Sequence, residues 1–336
     1  GRIIGYPLII PSPYNSNPIF NSMDTAYLKL KTSDFDRKFI YYFLCTELCH
    51  NSMFSFSAGS TVLHLNIKSA KKIIVPCPPI HEQEKISDLL SKIDELLENI
   101  ANTIENFKKL KIGMVQKLLI KGIRKTKLIE KEWLFKKSIK IPIDWEIYQI
   151  SDIAKKEKNA FSMGPFGSDI KKENFVDEGV PVIRGNNLTS EYFNDDGFVF
   201  LTDKKADELN FASAYRNDII FTHRGTLGQV AIIPPNSKFE RYIVSQSQMK
   251  CSLDESKVNP LYIYFFYQSH IGQSIIKMHS TKLGVPHIIK PLSTFKKLPI
   301  ILPTLPEQNK MVDIFLNLDN IINSHSDYKS NLETLK

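Results

Sequence analysis

The sequence predicts an α+β protein. Two domains of mixed α/β structure with many short strands, the first incomplete, are separated by two long helices that pair as an antiparallel coiled coil. Three observations predict it. A long internal repeat writes the same order of segments twice. Each copy closes on a proline-bounded run with heptad spacing. Ahead of those runs lie short β-rich stretches broken by Gly and Pro, and one aromatic stretch of helical length.

The repeat is read most directly in "PPIHEQEKISDLLSKIDELLENI" from Pro78 and "PTLPEQNKMVDIFLNLDNIINSH" from Pro303. Glu82-Gln83 falls on Glu307-Gln308, 225 residues on. Asp88 then meets Asp313, Asp94 meets Asp319, Lys71-Lys72 meets Lys296-Lys297, and Gly59 meets Gly284. Further upstream the offset is 223, so that "FIYYF" from Phe39 meets "YIYFF" from Tyr262, "GYPLIIP" from Gly5 meets "GQVAIIP" from Gly228, and Ser22 meets Ser245. One two-residue loop insertion explains the change. Residues 1–111 thus repeat 224–336, a period far longer than a solenoid's.

The elements follow in order. Residues 1–78 read as the C-terminal part of a first domain. They open on Gly1 inside a strand-like run, and roughly eighty residues are expected to precede them by analogy with the second copy. Residues 79–124 read as a central helix. Ile86, Leu90, Ile93, Leu97, Ile100, Ile104, Phe107, Met114 and Leu118 step by four and three, with Lys111 in the one gap. Pro78-Pro79 bars an earlier start, Gly122 is a stop, and the expected length is on the order of 55 Å. Residues 125–141 are a linker.

Residues 142–303 are the second domain. "IPIDWEIYQISDIA" reads as a strand and short helix, "GVPVIRGNNL" and "NDIIFTHRGTLGQVAIIPP" as β-rich runs, and "NPLYIYFFYQSHIGQSIIKMH" as helical with core aromatics. Residues 304–336 are the second helix. Its seam is Met311, Phe315, Leu318 and Ile322, continued by His325 and Lys329, with a second stripe of Ile314, Ile321, Tyr328 and Leu335. Ending at Lys336, it has no counterpart of "IGMVQKLLIKGIR", so that end of the pair is expected to fray. Two such helices bury their seams on each other; the alternative is that each packs on its own domain.

The composition narrows function only coarsely. An apolar fraction of 42% supports real cores, and 44 Lys and Arg against 36 Asp and Glu fit a polyanionic partner without establishing one. The four cysteines form no CxxC pair; Cys45, Cys49 and His50 could be imagined as metal ligands, but the two cysteines read better as small apolar residues four apart on one helix face. Sparse cysteine suits a reducing cytoplasm, and no apolar run has membrane-spanning length.

Three loops carry chemistry suited to DNA. "SMGPFGSDIKK" places Ser162, Gly164, Gly167, Ser168, Lys171 and Lys172 together; glycines admit a close backbone, and Ser and Lys serve phosphate. "IRGNNL" offers Arg184 for guanine O6 and N7, and Asn186 and Asn187 for adenine N6 and N7. "THRGTLG" adds His223, Arg224 and Thr226. Taken singly, each of these side chains reads equally as turn or surface.

Together, "GPFGSDIKKENFVDEGVPVIRGNNL", the RGTLG loop, the "PTLPEQ" lead-in and the duplicated helix resemble the specificity subunit of type I restriction-modification enzymes, over essentially the whole chain. The resemblance implies two target-recognition domains that each read half of a split sequence in double-stranded DNA. It implies two conserved helices that hold them apart and dock two methyltransferase subunits, and motor-nuclease subunits that join for cleavage. It implies no catalysis and no cofactor in this chain, with S-adenosylmethionine, ATP and Mg on the partner subunits.

Rival readings find less support. An adenine methyltransferase needs an [ND]PP[YF] loop, and the nearest string, Asn259-Pro260-Leu261-Tyr262, has the wrong third residue. A nuclease reading has only the ExK spacing of Glu255 and Lys257. A bare coiled-coil scaffold leaves the Gly, Asn and Arg loops unexplained.

Overall fold

The computed structural model describes residues 7–8, 28–30, 32–55, 57–58, 64–65, 68, 71–134, 137–167, 169–189, 193–281 and 284–336. The chain forms two compact units, residues 1–104 with 324–336, and residues 105–323, so the division falls inside both long helices.

The first unit holds α1 (Arg37–Cys45), α2 (Glu47–Ser55), a β1–β2 hairpin (Ser57–Ala58 with His64–Leu65) and the first part of α3 (Ile80–Lys121). Asp36 caps α1, its side chain accepting from Phe39 N, and the aromatic run buries Phe39 and Ile40. Thr46 separates α1 from α2, so Cys45 ends one helix, exposed, and Cys49 is buried on the next; they do not share one helix face. At 42 residues α3 is about 63 Å long, longer than the seam suggests, because it begins right behind Pro79.

The second unit continues with β3 (Leu128–Glu132), β4 (Ser138–Pro142), β5 (Glu146–Gln149), α4 (Ile150–Ile153), β6 (Phe161–Met163), β7 (Phe175–Val176), β8 (Val180–Ile183) and β9 (Val199–Leu201). Then come α5 (Asp203–Glu208), β10 (Ser213–Tyr215), β11 (Ile219–Thr222), β12 (Val230–Ile232), β13 (Arg241–Val244) and β14 (Gln248–Cys251). The chain closes with α6 (Pro260–Gln268), α7 (His270–Met278), α8 (Pro291–Lys296), β15 (Pro299–Leu302) and α9 (Leu305–Leu335). A five-stranded sheet runs β10-β13-β8-β9-β7, and a four-stranded sheet runs β12-β11-β14-β6. In the four-stranded sheet alternate residues serve two cores. Ile219 and Phe221 of β11 face a core shared with Trp145, Tyr262, Phe266, Phe295 and Ile300, while Ile220 faces a second core with Ile183, Leu201 and Tyr242. The sheet is therefore covered on both sides, and β8, β11 and β14 are buried throughout.

The aromatic stretch from Asn259 is two helices rather than one. Ser269 is extended, with ψ 163°, and its hydroxyl accepts from Gly272 N to start α7. On α9, Met311, Phe315, Leu318 and Ile322 are buried as the seam requires, but Met311 and Phe315 belong to the core of the second unit, with the Phe315 ring 5.1 Å from that of Phe265. The stripe of Ile321, Tyr328 and Leu335 is exposed; only Ile314 packs on the core. On α3, Ile100 is buried, Leu90, Ile93, Leu97, Ile104 and Phe107 are half-buried, and Ile86 is exposed. The deepest residues of its C-terminal end are Val115 and Leu119, one step off the Met114–Leu118 seam, because there the helix turns its face to a globular core.

The helices run antiparallel in the second unit: Lys111 pairs with Asp319, and Ile123 N donates to Glu307 Oε1 at 3.2 Å. Lys111 also lies 5.5 Å from the Phe265 ring centroid. The repeat reproduces the arrangement in the first unit. Lys336 pairs with Asp94, lies 5.6 Å from the Tyr42 ring centroid, and the Tyr42 hydroxyl donates to Asp94 at 2.7 Å. Each Lys is the other's repeat counterpart, as is each Asp. At the end expected to fray, Lys336, the residue after α9, thus holds an ion pair.

Candidate nucleic-acid interface

The three loops singled out in the sequence follow β6, β8 and β11 and lie in the second unit. Side-chain amides between the two sheets draw them together. Gln229 Nε2 donates to the carbonyls of Gly185 (3.2 Å) and Leu188 (2.6 Å), and its Oε1 accepts from Thr222. Gln248 is buried, accepts from Ser245 Oγ, and its carbonyl takes Gly164 N at 3.1 Å. Ser245 N in turn donates to Ile183 O at 2.9 Å. These contacts fix the β6, β8 and β11 loops against residues 245–248.

Gly164 has a structural reason. A Cβ there would come within 2.0 Å of Ser245 O, so the position admits only glycine, and the close approach it serves is to the protein's own backbone. Asn187 is likewise inside. It is fully buried, its Oδ1 accepts from Arg184 N, and its Nδ2 donates to Asn194 O and Asp196 O. All its bonding capacity closes the turn, which leaves no edge for a base. Ser162 is buried on β6, opposite Lys250. Gly164 and Asn187 are thus held by the protein's own contacts, while Ser162 lies inside with its hydroxyl unpartnered among the described residues. Ser168 lies outside the described residues.

Other candidates face outward. Asn186, Arg224, Thr226, Gly167, Lys171 and Lys172 are exposed. Arg184 is half-buried, and its Nε is enclosed without a hydrogen-bond partner. A buried guanidinium donor left open is costly unless something occupies it. Met163, Gly164, His223 and Arg224 line an open cavity of about 670 Å³. The segment 284–291 forms its other wall, tied in by Gly225 N to Pro286 O and Ile288 N to His223 O, both at 2.9 Å. Lys290 adds positive charge, His287 an imidazole, and Phe166, Val285 and Ile289 add strongly exposed apolar surface, at 71%, 59% and 60%. Gln246 completes the lining. Gln246, His287 and Lys290 were not among the candidates read from sequence, since only tertiary contacts carry them here. Gly167, Lys171, Lys172, Arg184, Asn186 and Thr226 lie off this lining.

His223 is buried and its Nε2 meets Gln246 O at 2.9 Å, which places the proton on Nε2. Burial lowers its pKa below the ordinary 6.5, and Arg224 and His287 lower it further against the opposing backbone hydrogen bonds. The folded pKa is below the unfolded one, so this stability is present above about pH 6.5 and is lost as pH falls toward the folded value. Thermal melts between about pH 7.5 and 5.5 are expected to show a smaller loss for His223→Asn than for the parent chain; equal losses would remove this role.

A family model described as type I restriction modification DNA specificity domain matches residues 5–106 and 142–334. The MjaVIII type I restriction enzyme specificity subunit of Methanocaldococcus jannaschii is 23% identical over 316 residues, covering 94% of this chain and 71% of that protein. The EcoBI specificity subunit of Escherichia coli is 21% identical over 88% of this chain and 62% of its own. Among solved structures, a chain from work on assembly and conformational transition of the type I R-M system superposes with TM-score 0.59 at 11% identity, over 89% of this chain and 68% of that one. A type I restriction-modification S subunit from M. genitalium gives 0.51 at 18%, over 90% and 71%. At these identities the superpositions speak for the fold.

Proposed function

The chain belongs to the type I restriction modification DNA specificity family, and from that premise we propose that it is the DNA-recognition subunit of a restriction-modification complex, reading a bipartite duplex target. The observation that carries the reading is the convergence of the β6 and β11 loops on one cavity, with the β8 loop tied beside them through Gln229, in the second unit. Arg184 and Arg224 have the fork geometry that bridges guanine O6 and N7, and Asn186 is the exposed amide suited to adenine. Lys171, Lys172 and Thr226 suit phosphate.

On this reading residues 1–78 are the C-terminal part of the first target-recognition domain, 142–303 the second, and 79–124 and 304–336 the conserved helices; residues 125–141, expected as a linker, form the β3–β4 hairpin packed on the core of the second unit. The chain performs no catalysis. It docks two methyltransferase subunits and motor-nuclease subunits in the cytoplasm, and those hold S-adenosylmethionine, ATP and Mg. The exposed leucines of α3, Leu89, Leu96 and Leu110, keep heptad spacing on a face left open to a partner. Among the described residues no helix is long and apolar enough to cross a membrane.

The test is selection of duplexes from a randomised pool by the full chain with its methyltransferase subunits. One enriched split sequence is expected. Arg184→Ala with Arg224→Ala is expected to lower affinity for it by about 2 kcal/mol, roughly 30-fold. Enrichment of no sequence, or unchanged affinity in the double variant, would sink the site assignment.

A further inference from the structure

The Lys-Lys pair that recurs as Lys71-Lys72 and Lys296-Lys297 is not used by the loops described above. In the second unit its first member, Lys296, opens onto a separate cleft of about 540 Å³ between α4, the 155–160 turn and the end of α8. Five lysines line this cleft, Lys155, Lys156, Lys158, Lys257 and Lys296, against two carboxylates, Asp152 and Glu157. Lys155 is 3.9 Å from Glu157, and Lys257 is held by Asp254 at 3.3 Å. Among the described residues Lys156 and Lys158 make no ion pair, and Lys296 lies 5.6 Å from the Phe161 ring centroid. Lys155 and Lys257 have carboxylate partners, but among the described residues Lys156, Lys158 and Lys296 have none, and gathering three such charges is unfavourable unless an anion is met there.

We infer that this cleft is a binding site for the phosphate backbone of the duplex, sequence-independent and separate from the reading cavity. The inference rests on the DNA-recognition reading above and extends it to a second set of residues. Continuity selects the ligand. Met163 lines the reading cavity and Phe161, two residues back on β6, lines the cleft, about 7 Å apart along a strand. Pro291 and Lys296, the two ends of α8, line the cavity and the cleft respectively, about 7.5 Å apart along a helix. Duplex charge recurs about every 3.4 Å along each strand, so a cleft this near the reading cavity is within reach of the backbone of the same duplex. An acidic protein surface would meet the same lysines but has no reason to be centred on the reading cavity. Lys71 and Lys72 are exposed at the matching positions of the first unit, which gives that unit the same pair.

Phosphate contacts are blind to sequence, so a duplex of random sequence is the probe. Affinity of the full chain is measured between about 50 and 200 mM salt for the parent, for Lys156→Gln/Lys158→Gln/Lys296→Gln, and for the same three positions changed to Arg. The Gln variant is expected to bind about tenfold more weakly at the low end, and the slope of log affinity against log salt to shrink by about 2 to 3. The Arg variant keeps both. An unchanged slope in the Gln variant overturns the inference while leaving the reading cavity standing. If poly-glutamate loses binding and the duplex does not, the cleft belongs to an acidic protein and the inference also fails. If the parent itself binds no duplex at low salt, the DNA-recognition reading fails with it.

Discussion

Replacing Lys250 with methionine is expected to cost the second unit about 3–5 kcal/mol, with a fall in melting temperature on the order of 10 °C. Lys250 and Asp218 are each 5% exposed, with Nζ 3.4 Å from Asp218 Oδ2. The ammonium also donates to Ser252 Oγ at 2.8 Å and lies 5.9 Å from the Tyr215 ring centroid. Asp218 Oδ2 additionally accepts from Tyr215 N at 3.0 Å, so the carboxylate fastens the turn between β10 and β11. Methionine fills the volume but leaves that carboxylate buried with one backbone donor. The loss arises from the uncompensated charge rather than from the worth of the pair, because such pairs roughly break even against apolar packing. The double variant Lys250→Met/Asp218→Asn is therefore expected to recover more than half of the loss, since the amide oxygen keeps Tyr215 N satisfied. Urea unfolding of the parent, both single variants and the double variant measures the coupling. A cost under about 1 kcal/mol for Lys250→Met, with no coupling, would show that water reaches the pair.

No sequence pattern marks that pair, and the reason is general. A lysine in a strand reads as an outward residue, and only the second sheet laid over β14 puts Lys250 inside. The same limit governed the site. Loops rich in Gly, Asn and Arg were legible as polar and turn-forming, but Asn187, Gly164 and Ser162 are shaped by what they touch inside the protein. Gln246, His287 and Lys290 come from segments with no marking pattern. What was legible was what repeats or has a period: the duplicated order of segments, the proline-bounded start of each long helix, and the seam of α9. Even the seam misled where a helix meets a globular core, as at Val115 and Leu119, since a core accepts a wider apolar face than a partner helix does.

The Glu-Gln written twice carries the other large expected effect. Gln83 is fully buried. Its Oε1 accepts from Asp36 N at 2.9 Å, and its Nε2 donates to Asp34 O and Pro78 O, both at 2.8 Å. Gln308, also buried, accepts from Asn259 N at 2.9 Å and donates to Pro303 O at 3.0 Å. Asp36 and Asn259 are the N-caps of α1 and α6, so in both repeats one amide ties the start of a long helix to the cap of the aromatic helix. Leucine at Gln308 is close in volume but strands a buried N–H and a buried carbonyl. Each costs about 1–3 kcal/mol, so Gln308→Leu is expected to destabilise the second unit by about 3 kcal/mol after the gain from apolar burial. Gln308→Glu is expected to do no better, because it keeps the acceptor for Asn259 N but turns a carboxylate toward Pro303 O. Asparagine keeps both functions on a stem one methylene shorter and cannot reach both partners. Amide hydrogen exchange at Asn259 reads the latch directly, and protection equal to the parent's in Gln308→Leu would remove it. A position that must donate and accept at glutamine's length has no substitute that keeps both bonds, which accounts for the glutamine recurring in the repeat where the surrounding seam residues differ between the copies.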